Sequence, residues 1–232
     1  MTQHPDNLPP SHPVYALAQS STKLALLVRN ALAVVEEALQ RYSPEQVAVS
    51  FNGGKDCTVL LELVHAVLRF RYHTALPILT MYVTSQNPFP EADAFVLASV
   101  QRYNLKLVRT QPPLKTGVAA FMTQHPQVEA VFIGTRRTDP HGIKLGTYAP
   151  TDRDWPRFMR INPIIDWTYD DVWCFLRQLK VPYCPLYDQG YTSLGDVTTT
   201  KPNPALHNPD QDCGYDPAWK LHDHASERRG RV

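Results

Sequence analysis

The turn SFNGGKDCT at residues 50–58 restricts the fold more than any other stretch of this chain. Before it, QVAVSF alternates and is rich in β-branched residues, the pattern of a buried strand. After it, Val59, Leu60, Leu63, Val64, Val67 and Leu68 recur at helical spacing. The glycines therefore sit on a strand-to-helix turn. There the first N–H groups of the helix have no intrahelical partner and the helix dipole presents positive potential, so the turn suits a phosphate. Gly53 and Gly54 permit positive φ and close approach to the main chain, and Lys55 adds a cation. Neither G-x-x-x-x-G-K-[ST] nor G-x-G-x-x-G is present, so the common nucleotide fingerprints do not explain the turn. An ordinary tight turn with a capped helix remains the alternative.

Strand and helix patterns then alternate. LPILTMYV reads as a second strand, EADAFVLASVQRY as a helix, LKLVRT as a strand, LKTGVAAFMTQ as a helix and VEAVFIGT as a fourth strand. Ahead of them, STKLALLVRNALAVVEEALQRY predicts a capped amphipathic helix that buries Leu24, Leu27, Val28, Ala31, Leu32, Val35 and Leu39. This rhythm predicts an α/β fold: a mostly parallel, doubly wound sheet with helices on both faces and ligands beyond the carboxyl ends of its strands. Residues 1–18 are polar and proline-rich and are expected to be a disordered tail. The catalytic α/β domain is expected over residues 19–185, followed by a loop-rich C-terminal extension over 186–232.

A formal charge of +1, from 23 basic and 22 acidic residues, argues against a nucleic-acid surface and makes any anion site local. The four cysteines form no C-x-x-C, no apolar run is long enough to span a bilayer, and no secretory signal or arginine-rich leader is recognisable. A cytosolic protein with reduced thiols, acting as a monomer on small molecules, is the expectation.

A second polar strand end, IGTRRTDP at residues 133–140, joins the glycine turn on the ligand side of such a sheet. Arg136 and Arg137 suit phosphate oxygens and Asp139 suits a metal or a polar ring edge, although an arginine pair is as often a solvated loop. In the following long loop, Trp155 and Phe158 stand among Arg153, Arg157 and Arg160, a mixture suited either to a planar anionic ligand or to a local aromatic minicore. Thr168 with Asp171 predicts a capped helix, in which Asp170 and Asp171 serve the helix dipole. His222 and His224 form at most a weak metal pair.

SFNGGKDCT resembles the pyrophosphate-binding loop of enzymes that split ATP between its α- and β-phosphates, a group that includes phosphoadenylyl sulfate reductases and the small subunit of ATP sulfurylase. Within that group, FNGGKDCT, IGTRRTDP, DWPRFMRINPIIDWT, PYCPLYDQGYTSLG, NPAL, YDPAWKL and the final ERRGR together resemble the eukaryotic FAD synthases, especially the stand-alone fungal form. The resemblance runs in order over roughly residues 20–232. Asn52 stands where serine is more usual in the superfamily, and Cys57 where serine or threonine is frequent; both changes fit the FAD synthase branch.

The resemblance implies FMN adenylyltransferase activity, FMN + ATP → FAD + pyrophosphate, assisted by Mg²⁺. It assigns Ser50, Phe51, Asn52, Gly53, Gly54, Lys55, Asp56, Cys57 and Thr58 to the ATP phosphates, and places adenine against Tyr82 and Val83. Asn52 would donate to the α-phosphate and Asp56 would hold magnesium or brace the loop. The flavin would meet Gly134, Arg136, Arg137, Asp139, Trp155, Arg160, Ile165, Asp166, Trp167 and Arg231, with Arg228 closing from the tail. Asn52, Asp56, Asp139 and Arg228 are the expected catalytic set. Two rivals share the loop: a sulfonucleotide reductase using Cys213, and a silent nucleotide- or flavin-binding regulator. Cys213 in QDCGYDP only partly matches the reductases' E-C-G-x-H, because Tyr215 and Asp216 follow it.

Overall fold

The computed structural model describes residues 12–73, 76–140 and 142–231. Six strands form one sheet in the order β3-β2-β1-β4-β6-β5: β1 Val47–Ser50, β2 Ile78–Val83, β3 Leu105–Thr110, β4 Ala130–Phe132, β5 Tyr148–Pro150 and β6 Met159–Ile161. All neighbours are parallel except β5, which runs antiparallel to β6. Side chains alternate across this sheet. Val47, Val49, Ile78, Tyr82 and Phe132 enter the large core under α2 (Lys23–Arg41), α3 (Lys55–Ala66), α4 (Pro90–Tyr103) and α6 (Tyr169–Gln178). Ala48, Leu79, Met81 and Val131 face the other way, against Val118 and Phe121 of α5 (Leu114–Gln124). The sheet is thus covered on both faces, as the strand and helix rhythm predicts.

Local chemistry fixes the helix ends. Thr22 caps α2 by accepting from the Ala25 N–H at 3.1 Å. Thr168 and Asp171 form the predicted capping box, and the Asp171 carboxylate also meets Lys23 at 3.1 Å, tying α6 to the start of α2.

Two expectations are corrected. Residues 13–18 are not tail: Pro13–Ala18 forms α1, capped by His12, with Val14 and Tyr15 fully buried against α2 and α3. Six residues of helix are too few to show a period, and Pro13 resembles the prolines of a flexible leader. Residues 1–11 of the expected tail lie outside the described residues. The long loop after β4 also contains structure, since β5 and β6 form a hairpin that extends the sheet. Strands of three residues carry no readable alternation. Among the described residues, no helix is long and apolar enough to cross a membrane.

Candidate active site

The strand order reverses at β1, whose neighbours β2 and β4 are reached by chain running in opposite directions, and a crevice opens at that switch point beyond the carboxyl ends. It holds a cavity of about 450 Å³ lined by the glycine turn, by Ile133, Gly134, Thr135, Asp139 and Pro140 after β4, and by Tyr187, Ser193, Leu194, Glu227, Arg228 and Arg231 from the C-terminal extension. Leu114, at the start of α5, stands at the rim and is 58% exposed.

Gly53 has φ +80°, a left-handed conformation that only glycine adopts readily, and it turns the chain from β1 into α3. The Asn52 side-chain oxygen accepts from the Gly54 N–H and from the Cys57 thiol, both at 3.0 Å, so it shapes the turn from within. Cys57 is enclosed, and burial pushes its thiol up to about 12. Tyr187, also buried, accepts from the Lys55 N–H at 2.8 Å and so satisfies one free donor of α3. Thr58 is fully buried and its hydroxyl donates to the Gly54 carbonyl.

A five-charge network runs through the cavity wall, with Arg136 behind it. Lys55, 2% exposed, places Nζ 3.1 Å from Asp56 and 2.5 Å from Glu227. Arg136, fully buried, donates to both Glu227 oxygens at 2.7 Å, with Asp56 at 2.9 Å from Nε and Asp139 at 3.3 Å. The Asp139 carboxylate also accepts from the Arg136 N–H at 2.8 Å, closing the turn after β4. Burial opposes the charge on Arg136, but Asp56, Glu227 and Asp139 outweigh it and raise its pKa. Burial likewise pushes the Glu227 carboxyl up, yet Lys55 and Arg136 hold it below the usual carboxylate range.

The C-terminal segment is bound, not solvated. The Thr192 hydroxyl donates to the Glu227 carbonyl at 2.6 Å, and the buried Asn203 amide donates to the Ser226 carbonyl at 2.8 Å. The Arg231 guanidinium reaches Ser193 at 3.1 Å and the Leu194 carbonyl.

The expected site residues thus fall into three groups. Ser50, Asn52, Gly54, Lys55, Asp56, Cys57, Gly134, Asp139, Arg228 and Arg231 line one cavity. Phe51, Gly53 and Thr58 support its turn, with Phe51 packed into the core. The others stand apart from the wall. Arg136 is not a free clamp, because its charge is consumed by carboxylates. Arg137 pairs at the surface with Asp166 at 2.6 Å, and its backbone N–H donates to the Ile165 carbonyl. Trp167 packs on Phe175 in the core. Arg160 donates to the Pro150 carbonyl at 2.8 Å. Trp155 is half-buried against the α5 cluster, and its neighbour Asp154 pairs with Lys115 at 2.8 Å, next to Leu114. The Tyr82 hydroxyl donates to Asp93 at 2.7 Å, and Val83 ends β2.

Sequence reading assigned no role to Glu227, Tyr187 or Leu114, although the first two stand in motifs that carried the resemblance. His224 pairs with Asp170 at 3.0 Å and stacks on Tyr169. Among the described residues, no group of three or more His, Cys, Asp or Glu is placed to hold a metal ion.

Residues 46–202 match the phosphoadenosine phosphosulfate reductase domain family. A probable FAD synthase of Schizosaccharomyces pombe is 43% identical over 86% of this chain and 77% of its own length. One of Caenorhabditis elegans is 45% identical over 88% of this chain, which spans only 40% of that longer protein. The crystal structure of Candida glabrata FMN adenylyltransferase in complex with FAD and inorganic pyrophosphate superposes with a TM-score of 0.85 at 25% identity, over 94% of this chain and 93% of that one. The chain belongs to the FAD synthase family, within the wider phosphoadenosine phosphosulfate reductase domain family.

Proposed function

We propose that this chain is an FMN adenylyltransferase, which transfers the adenylyl group of ATP to FMN and releases pyrophosphate. The observation that carries the reading is the meeting, in one cavity, of the α3 N-terminus and its glycine turn with two arginines from the C-terminal segment. An anion-binding turn faced by Arg228 and Arg231 suits a triphosphate better than a neutral ligand.

In the proposed reaction a phosphate oxygen of FMN attacks the α-phosphorus in line. The P–O bond to the β-phosphate breaks, and its electrons leave with pyrophosphate. Little covalent work falls to the protein; it must place two anions and neutralise charge. The turn and the first N–H groups of α3 receive the β- and γ-phosphates. Arg228 faces the charge that develops on the leaving group. The Asn52 amide, its oxygen engaged by the turn, keeps its NH₂ to donate to the α-phosphate. Magnesium would come as part of the MgATP substrate and would neutralise phosphate charge; Asp56, the carboxylate nearest to hold it, is already paired with Lys55 and Arg136. Adenine lies at the end of β2, by Tyr82 and Val83. The isoalloxazine meets Asp139 and leaves the cavity over Leu114 toward Trp155.

The reductase reading is disfavoured by Cys213, which is exposed, contacts the Asp188 and Tyr215 carbonyls, and is not among the residues lining the cavity. The test is to mix the protein with FMN, ATP and magnesium and follow FAD and pyrophosphate together. Equal amounts of both support the reading. Absence of both from folded protein overturns it.

A further inference from the structure

The carboxylate of Glu227 joins three segments that are far apart in the chain. It lies on the C-terminal segment, 172 positions from Lys55 and 91 from Arg136, yet it accepts from both. Its main chain is fixed as well, through Thr192 and, one residue earlier, through Asn203. The next residue is Arg228, which lines the cavity.

Resting on the adenylyltransferase reading, we infer that Glu227 is a positioning residue that sets the Lys55 ammonium beneath the phosphate turn and holds the segment carrying Arg228 and Arg231 in register with it. The charge count supports a positioning role over mere neutralisation. Asp56 and Asp139 already balance the two cations Lys55 and Arg136, so the third carboxylate is surplus to charge balance. What it adds is geometry, because it alone of the three comes from the C-terminal segment. Donors fixed in advance need no reorientation as charge develops on a ligand.

The experiment compares wild type, Glu227→Gln, Lys55→Met and the double variant for MgATP affinity by equilibrium binding and for kcat and KM during FAD formation. Glutamine keeps the size but sets an NH₂ against two donors. The expected result is a fall in kcat/KM for ATP on the order of 100-fold, the scale of a misplaced catalytic group. MgATP binding weakens with it, while KM for FMN changes less. In the Lys55→Met background most of the Glu227→Gln effect should disappear, a non-additivity that a general loss of stability does not produce. Trypsin should also cut after Arg228 and Arg229 faster in Glu227→Gln than in wild type.

Wild-type kinetics, MgATP affinity and cleavage rate in folded Glu227→Gln overturn the inference, as does full additivity with Lys55→Met. Should Glu227→Gln not fold, Glu227→Asp keeps the charge but is one methylene short of both cations. An unchanged kcat/KM and cleavage rate in that variant is equally decisive against the inference. Failure of the adenylyltransferase reading is recognised separately, as wild-type protein that forms no FAD; the binding and cleavage arms still test the role of Glu227 in that case.

Discussion

Gly134 lies against the backbone of Cys57 so closely that a Cβ on it would come within 2.9 Å of the Cys57 nitrogen and 3.0 Å of the Asp56 carbonyl carbon. The atoms it would meet are main chain at the first turn of a helix, and they cannot swing aside as a flexible side chain does. Gly134→Ala is therefore expected to cost about 1–3 kcal/mol of stability as overpacking. By shifting the phosphate turn it is expected to lower kcat/KM on the order of 10- to 100-fold. Thermal unfolding and steady-state kinetics on the same preparation check this, and activity at the wild-type level refutes it.

Arg136→Met removes the cation shared by three carboxylates, leaving Lys55 alone to face Asp56 and Glu227 and leaving Asp139 without its cation in a largely buried setting. Breaking such a pair costs about 3–5 kcal/mol, which for a chain of this size lowers the melting temperature on the order of 10 °C. A surface clamp would show almost no change, so calorimetry separates the two roles directly.

Arg228→Ala should behave in the opposite way. The residue lines the cavity, and no carboxylate pairs with it among the described residues. Removing a donor aimed at developing charge lowers kcat by about 100- to 1,000-fold, with melting unchanged. A large fall in stability without a fall in kcat would assign it to the scaffold.

Acid stability carries the signature of Glu227. Its carboxyl titrates below the ordinary 4.5 when folded, so the ionised form is the stabilising one. That contribution is complete above the unfolded-state value and is lost as pH falls below it and through the folded-state value. The melting temperature of wild type should therefore fall more steeply in that acid range than that of Glu227→Gln. Parallel curves would show that the pair is not ionised.

Thiol chemistry should be irrelevant to turnover. Burial raises the Cys57 thiol to about 12, leaving it protonated at neutral pH, and Cys213 lies outside the cavity wall. Cys213→Ser is expected to form FAD at the wild-type rate with or without a dithiol reductant. Dependence on either would favour the reductase reading.

The regular part of the fold was legible wherever a period ran long enough. LKLVRT and LKTGVAAFMTQ coincide with β3 and α5, and the cap at Thr168 was readable from its partner three residues on. The hairpin of β5 and β6 was not, because six residues shared between two strands hold no period. Among site residues, adjacency in sequence hid opposite fates: Arg136 and Arg137 look alike in IGTRRTDP, yet one is buried among carboxylates and the other meets Asp166 at the surface. Glu227 was illegible for a related reason. A glutamate in ERRGR reads as a solvated charge, and a single sequence holds no trace of its pairing with a lysine in the first third of the chain.

That pairing closes a very long loop of chain. Bringing together residues 172 positions apart costs more chain entropy than a local contact does, and contacts of that kind slow folding. The strands of the sheet pair with nearer neighbours, whereas the glycine turn leans on Tyr187, 132 positions from Lys55. On the role inferred for Glu227, a molecule whose core is sound but whose C-terminal segment has not docked is folded yet idle.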